Sequence, residues 1–459
     1  MGKIKLNMTQ IIHFIGIGGI SMSGLAEVLK KDGYFVSGSD DMASDITNHL
    51  KSLGIEVNVP NAAENISEDT DLVVYTAAVR ENNPEFQAAK RMNKRMMERA
   101  ELLGEILKGY DHAICIAGTH GKTTTTSIFA EVALAAGLDP TISIGGHMGT
   151  DGSNYRVGQS SYFVMEACEY SNSFHHWHPH VGVILNIDAD HLDFFGDLDG
   201  VVSSFRKFAE NIRPGGLLVV RAGQPGLDIV TAGLECDVVT FALNQHEARF
   251  WVDDVEYDNL GRPSFDVMDG KQFLAHITLP LPGQYNMLNA LACFAAAEWL
   301  GIDTQVTAQA LMGAKGVKRR FQYKGTYNGA EIIDDYAHHP TEIQACLAAA
   351  KRTGRRVVCL FQPHTYSRTK NHLNEFVQSF DDADLIVLLP IYAAREPFDP
   401  SISSAVVTEM LNVKGSNSVH FNSFEKAEQY LRKNLHPNDM LITMGAGDVY
   451  KVGESLLST

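Results

Sequence analysis

Ala113-Ile114-Cys115-Ile116-Ala117-Gly118-Thr119-His120-Gly121-Lys122-Thr123-Thr124 is an apolar run, a glycine-bounded turn and the opening of a helix that continues through Ala136. A run apolar at every position reads as a strand buried on both faces, as in a parallel sheet. Backbone amides of such a turn can cradle phosphates. Lys122 can reach a terminal phosphate, and the Thr123 hydroxyl can hold Mg²⁺. The strict phosphate loop has four residues between its glycines. Here there are two, so this is a shortened variant.

Upstream, Ile11-Ile12-His13-Phe14-Ile15 is a second buried-strand run, followed by Gly16-Ile17-Gly18-Gly19-Ile20-Ser21. A helix is expected from about Met22 to Lys31, stopped by Gly33, and a strand from Tyr34 to Ser37. Asp40 lies 22 residues past Gly18, where an acidic residue often binds a ribose hydroxyl. Three readings stay open for this turn: a nicotinamide dinucleotide, another nucleotide, or a structural turn. Ser21 stands where the dinucleotide fingerprint has its last glycine, which weakens the first. Two nucleotide-type loops on two separate sheets argue against a simple dehydrogenase. They suggest an enzyme that holds one nucleotide-linked substrate and consumes ATP. Leu72–Tyr75 is a further strand and Arg99–Lys108 a further helix.

Downstream, strands are expected at Tyr162–Glu166, Val181–Asn186 and Leu217–Val220. Glu166 closes the first, and Asn186-Ile187-Asp188-Ala189-Asp190-His191-Leu192-Asp193 follows the second. Polar residues at the C-terminal ends of parallel strands face the ligand crevice. Mg²⁺ prefers oxygen, so on chemistry alone Glu166 ranks above His191 as a ligand. The run His175-His176-Trp177-His178-Pro179-His180 fits no standard metal spacing and reads as structural or surface histidine. Residues 249–279 alternate like antiparallel strands, Pro280–Gly283 is a break, and Asn286–Leu300 is an alanine-rich helix. After Lys318-Arg319-Arg320, strands are expected to end at Ile332–Tyr336 and to cover Val357–Phe361, Leu385–Leu389 and Met440–Met444. The expected class is α/β in three consecutive domains: Rossmann-like, phosphate-loop ATPase, and Rossmann-like again. Hinges are expected near residues 108 and 318.

The whole chain has 459 residues, 45% hydrophobic and 20% charged, enough for two to four globular domains. Lys+Arg is 38 against Asp+Glu 55, a net charge of -17, which argues against a nucleic-acid binder. The six cysteines form no C-x-x-C pair and read as buried reduced thiols. Met1-Gly2-Lys3-Ile4-Lys5 carries no targeting signature, and no stretch approaches ~18 uncharged apolar residues. A soluble cytoplasmic protein without membrane partners is expected.

Taken together the motifs resemble the Mur ligase family. The resemblance rests on Gly16–Gly24, Ala117–Thr124, Asn186–His191, Gly283-Gln284-Tyr285-Asn286-Met287-Leu288-Asn289-Ala290, Arg319-Arg320-Phe321, Asp334–Glu342 and Phe361–Thr369, in the family's order. It implies a UDP-sugar domain over 1-107, an ATP domain over 108-317 and an amino-acid domain over 318-459. It moves the first glycine turn from a dinucleotide to a UDP-linked substrate, with Gly16, Gly18, Gly19, Ser21 and Asp40 as its contacts. Gly118, Thr119, His120, Gly121, Lys122, Thr123 and Thr124 would hold ATP, with Asn286 and Asn289 near adenine and Arg320 and Asp335 completing the site. Thr123, Glu166 and His191 would surround magnesium. Lys122, Glu166, His191, His338 and Arg368 would be catalytic, the last two facing the amino acid.

The implied reaction joins L-alanine to the lactyl carboxylate of UDP-N-acetylmuramate through an acyl phosphate. Tripeptide addition to the same sugar is the alternative, and Tyr336 with His364–Arg368 resembles the alanine branch. A monomer or weak homodimer is expected. Thr365 stands where many relatives carry arginine, so the alanine assignment rests more on Arg368. Ile144 departs from a usual asparagine, which leaves the Gly145-Gly146 loop outside the expected site.

Overall fold

The computed structural model describes residues 10–76, 78–146, 154–244, 248–394 and 396–458, the side chain of Asp193 excepted. Met1–Lys5, read above for targeting, lies outside the described residues. The chain divides into two compact units. One runs to Trp251 and takes in Met268–Gln272 and Asn289–Ala310; the other holds Val252–Val267, Phe273–Leu288 and the chain from Leu311.

The first unit begins with strands β1 (Ile11–Ile15), β2 (Phe35–Ser39), β3 (Glu56–Asn58), β4 (Leu72–Tyr75) and β5 (Arg95–Glu98). They form a parallel sheet in the order β3-β2-β1-β4-β5. Helices α1 (Ile20–Lys31), α2 (Asp45–Ser52), α3 (Pro84–Arg91) and α4 (Arg99–Leu107) connect them. Helix α1 starts at Ile20, earlier than Met22, because Gly19 is already an extended N-cap at φ -64, ψ 139. The second strand is shifted to Phe35–Ser39 from the expected Tyr34–Ser37. Strands β3 and β5 carry no sequence signal: they are three- and four-residue edge strands with polar ends.

A second sheet is built on β6 (His112–Ala117), whose residues from Ala113 on are all buried. It continues with α5 (Lys122–Ala135), β7 (Thr141–Ser143), β8 (Tyr155–Arg156), β9 (Tyr162–Glu166), β10 (Val181–Ile184), α6 (Leu192–Phe195), α7 (Leu198–Glu210), β11 (Leu217–Arg221), α8 (Leu227–Thr231) and β12 (Asp237–Phe241). The order is β12-β11-β10-β6-β9-β7-β8, parallel except for β8 on β7. Strand β10 ends at Ile184, short of the expected Asn186, because Asn186 turns to serve the phosphate loop.

Residue 108, expected as a hinge, lies inside this unit at a packed junction. One apolar cluster runs from Ile12 and Leu25 through Phe163, Phe174 and Phe208. Trp177 Nε1 donates to the Ala100 carbonyl at 3.0 Å. The Arg213 guanidinium donates to the carbonyls of Leu107 at 2.9 Å and Tyr110 at 2.8 Å. The histidine run serves the same packing. His175 Nε2 lies 3.0 Å from the Ser204 carbonyl, and His180 pairs with His112 at 3.2 Å.

The second unit contains most of β13 (Phe250–Tyr257), β14 (Pro263–Asp269) and β15 (Gln272–Thr278), three adjacent strands as expected from the alternation. It takes only the ends of helices α9 (Gln284–Trp299) and α10 (Thr304–Met312), whose Asn289–Ala310 stretch belongs to the first unit. Its sheet holds β16 (Gln322–Tyr327), β17 (Ala330–Asp335), β18 (Arg356–Phe361), β19 (Leu385–Leu388), β20 (Ser418–His420) and β21 (Asp439–Met444), interleaved with α11 (Pro340–Lys351), α12 (Tyr366–Asn371), α13 (Leu373–Gln378), α14 (Ser404–Lys414), α15 (Phe424–Asn434) and α16 (Tyr450–Leu457). The order is β16-β17-β21-β18-β19-β20. All pairs are parallel except β16 on β17, so the expected open parallel sheet gains an antiparallel edge.

Four cysteines are buried, but Cys168 is exposed and Cys236 half-buried, which corrects the expectation for those two. No helix among the described residues is long and apolar enough to cross a membrane.

Candidate nucleotide and ligation site

The phosphate loop turns on two glycines in left-handed backbone, Gly118 at φ +140 and Gly121 at φ +84. A Cβ on Gly121 would lie 3.0 Å from Asn289 Oδ1, so Asn289 backs the loop directly. The Asn186-to-Asp188 turn clamps it from the other side. His120 N donates to Asn186 Oδ1 at 2.8 Å, and the Asn186 amide returns a bond to the His120 carbonyl at 2.9 Å. Asp188 N donates to Thr119 Oγ1 at 3.0 Å, and the Asp188 carboxylate pairs with His120 Nε2 at 3.0 Å. Asn186 and Asp188 thus have a holding role that their strand-end position alone did not reveal.

Lys122 opens α5 and is nearly buried. Its ammonium donates to the Gly118 carbonyl at 2.6 Å, the Thr119 carbonyl at 3.0 Å and Glu169 Oε1 at 3.1 Å. Burial acts to lower its pKa, but Glu169, Cys168 and Glu166 outweigh it and hold the ammonium firmly protonated. The next residue, Thr123, donates from Oγ1 to Glu166 Oε2 at 2.9 Å, and Gly145 N reaches the same oxygen at 2.9 Å. The Gly145 loop, expected outside the site, therefore orients Glu166. A hydroxyl beside a strand-end carboxylate is an oxygen pair suited to a hard divalent cation.

His191 follows β10, the strand on the other side of β6 from β9. It sits in left-handed backbone at φ 54, with its ring 4.8 Å from that of Tyr170 and Nε2 3.8 Å from the Asp190 carboxylate. No hydrogen bond joins it to Thr123 or Glu166 among the described residues.

At the N-terminal turn, Gly16 takes φ +77. Gly16 N and Ile17 N donate to the Ser39 carbonyl at 2.9 and 2.8 Å, fixing the turn to β2. Asp40 accepts from Gly18 N at 2.9 Å, and a Cβ on Gly18 would lie 2.8 Å from that carboxylate. Asp40 is thus part of the turn itself. Ser21 receives a bond from Arg99 Nη1 at 3.1 Å, a residue that sequence reasoning missed. The available signal was a cation at the first position of α4, where the helix dipole disfavours positive charge.

In the second unit, Asn286 closes its own helix start by donating to the Pro282 carbonyl at 2.7 Å. Arg319 and Arg320 lie 5.1 and 5.2 Å from the Tyr336 ring centre. Arg319 is the structural one: it pairs with Asp334 at 3.1 Å and donates to the Gly445 carbonyl at 2.6 Å. Asp335 accepts from Phe321 N at 2.7 Å and Ala337 N at 2.8 Å. Burial pushes its pKa up to about 6, against the pull of Arg320.

His338 and Arg368 converge on His364. The His338 and His364 ring centres are 5.5 Å apart, and Arg368 Nη1 lies 3.3 Å from His364 Nδ1. Burial lowers the pKa of His338 to about 4, although Glu342 opposes the shift. Glu342 also accepts from the backbone N–H of His338 and His339, so part of the Asp334–Glu342 motif is a helix cap. Thr365, the departure noted above, caps α12 in left-handed backbone at φ +64 and bonds Tyr392 O at 2.8 Å.

Three family descriptions match along the chain: "Mur ligase family, catalytic domain" over residues 11–111, "Mur ligase middle domain" over 116–297 and "Mur ligase, glutamate ligase domain" over 319–447. A UDP-N-acetylmuramate–L-alanine ligase of Lachnospira eligens is 49% identical over 458 residues, covering 100% of both chains. One from Clostridium novyi is 47% identical, covering 97% of each. Among solved structures, a UDP-N-acetylmuramate-alanine ligase of Thermotoga maritima superposes with TM-score 0.78 at 29% identity, covering 97% of this chain and 98% of that one. A tripeptide-type ligase of Neisseria meningitides superposes with TM-score 0.61 at 32% identity, covering 68% of this chain and 100% of that one.

Proposed function

The chain belongs to the Mur ligase family, and on that premise we propose that it joins L-alanine to the lactyl carboxylate of UDP-N-acetylmuramate, with ATP cleaved to ADP and phosphate, in peptidoglycan precursor synthesis. The observation that carries this reading is the 49% identity, end to end, with the Lachnospira alanine ligase. A carboxylate cannot acylate an amine directly, because its leaving group would be oxide. Attack of a lactyl carboxylate oxygen on the γ-phosphorus expels ADP and forms an acyl phosphate. The alanine amine then attacks the carbonyl carbon, phosphate leaves, and the amine gives up a proton to become an amide.

The protein's part is positioning and charge compensation. Gly118 to Thr124 hold the ATP phosphates, Lys122 supplies the cation, and Asn286, Asn289, Arg320 and Asp335 complete the nucleotide contacts. Thr123, Glu166 and His191 would hold magnesium, and the Thr123–Glu166 oxygen pair supports this. The ion would neutralise phosphate charge. Gly16, Gly18, Gly19, Ser21 and Asp40 take the UDP sugar. His338, a neutral imidazole at pH 7, and Arg368 face alanine, and the guanidinium matches its carboxylate. We assign the protein to the cytoplasm, where its two nucleotide substrates occur, as a monomer or weak homodimer.

The test is ADP release in the presence of UDP-N-acetylmuramate, screened over free amino acids with a tripeptide arm in parallel. Release that depends on both the sugar and L-alanine is expected. Release with tripeptide in place of alanine would transfer the assignment to the recycling branch, and release independent of the sugar would remove it.

A further inference from the structure

An ammonium has three N–H donors. On Lys122 all are engaged, by the Gly118 carbonyl at 2.6 Å, the Thr119 carbonyl at 3.0 Å and the Glu169 carboxylate at 2.8 and 3.1 Å. No donor is left for a phosphate. The two carbonyls belong to the loop that Lys122 itself closes, so the exchangeable partner is Glu169. That residue is 2% exposed, and its two oxygens lie 2.8 and 3.1 Å from the ammonium.

The backbone after Glu169 is tense. Ser171 and Asn172 both sit at φ 56, consecutive left-handed residues without glycine. Such positions are unfavourable and cluster where a segment switches. Asn172 is held by Ser204 Oγ at 2.6 Å and by its own N–H on the Glu169 carbonyl at 2.9 Å. A phosphate brought to Lys122 sets like charge against a buried carboxylate, so phosphate and Glu169 exclude each other.

Resting on the reading of this loop as the ATP site, we propose that Glu169 is a positioning residue: the internal counter-ion that the terminal phosphates of the nucleotide displace from Lys122. It stores Lys122 in the closed loop when no nucleotide is bound. It lowers affinity for the triphosphate, and it reclaims the ammonium as products leave.

Glu169→Gln keeps the shape and a hydrogen bond to Lys122 but removes the charge. ATP, ADP and AMP are titrated calorimetrically into the full-length protein and the variant, with magnesium and without UDP sugar. The variant is expected to bind ATP roughly tenfold more tightly, the scale of one charged hydrogen bond no longer broken. AMP affinity should stay unchanged, since its phosphate stops short of Lys122. Unchanged or weaker ATP binding beside normal AMP binding would overturn the proposal and make Glu169 a scaffold for Lys122. If wild type binds AMP but gains nothing with ATP, the phosphate-loop reading falls and the proposal with it. Should the glutamine variant lose its far-ultraviolet circular dichroism, Glu169→Asp decides. Its shorter acid reaches Lys122 less well, so a smaller gain in ATP affinity is expected, and no gain overturns the proposal.

Discussion

Lys122 and Arg368 are both cations assigned to binding, yet they are held in different ways, and their substitution should read out differently. Lys122 is locked to Glu169 in a nearly dry loop, with side chains 12% and 3% exposed. Lys122→Ala should lower turnover by about 10²-fold or more, because a charge facing the transferring phosphoryl group is gone. It should also destabilise the protein by about 3 kcal/mol, since it strands a buried carboxylate. Adding Glu169→Gln should return most of that stability in chemical denaturation without returning activity. Recovery of both would remove Lys122 from the chemistry. Arg368 has a softer neighbour, His364 Nδ1 at 3.3 Å. Arg368→Lys should raise KM for alanine by the loss of roughly 1–3 kcal/mol of paired hydrogen bonding. Positional isotope exchange in ATP, run with UDP-N-acetylmuramate and no alanine, should persist in this variant. Exchange lost in step with ligation would place Arg368 in the phosphoryl step.

At the scale of elements, α1 shows that one glycine motif can answer several demands. Gly16 is there for its left-handed backbone and Gly18 for the Asp40 carboxylate against it. Gly24 is there for Tyr155: a Cβ would lie 2.3 Å from the ring of that β8 residue. The motif that reads as nucleotide binding is therefore also the notch in which the second sheet seats. Gly24→Ala should lower thermal stability by about 1–3 kcal/mol, the usual range for overpacking. Tyr155→Ala in the same chain should recover part of the loss, because the ring that collides is gone; additive losses would show that the notch is not the cause. Other elements were legible to within a few residues. Continuous buried apolar runs marked β6, β9 and β18 well, whereas β3, β5 and β20 are too short and polar at an edge to stand out.

At the scale of the whole molecule, pH acts through buried groups that oppose each other. Burial lowers the pKa of His338 to about 4 and also lowers those of His175, His180 and His364. A histidine lowered on folding binds fewer protons folded than unfolded, so its contribution is full above the unfolded value near ~6.5 and is lost as pH falls toward the folded value. Asp335 works the other way. Burial raises its pKa to about 6, so its ionisation penalty, present above that pH, is relieved as pH falls toward its unfolded value. His338→Gln should therefore flatten the acid loss: between pH 7 and 4.5 its stability should fall by about 2 kcal/mol less than that of wild type. Urea denaturation at the two pH values checks this, and parallel curves would mean that His338 is already charged when folded.

The sequence by itself determined the parallel-sheet class, the shortened phosphate loop and the family resemblance. The first two are contained in a dozen consecutive residues, an apolar run such as Ala113–Ala117, a glycine turn and a helix start, and the resemblance is a series of such short motifs in a fixed order. It also placed Glu166 at a strand end and His191 in the loop that follows a strand, because a strand's end is a local event. Tertiary structure alone decided which side chains meet there. Glu169 on Lys122, Arg99 on Ser21, Gly145 on Glu166 and Tyr155 in the Gly24 notch all join residues from separate elements. Their meeting depends on strand order and on how two sheets pack. No local pattern fixes either one, because any neighbouring strand with the same alternation of apolar residues would satisfy the same hydrophobic demand.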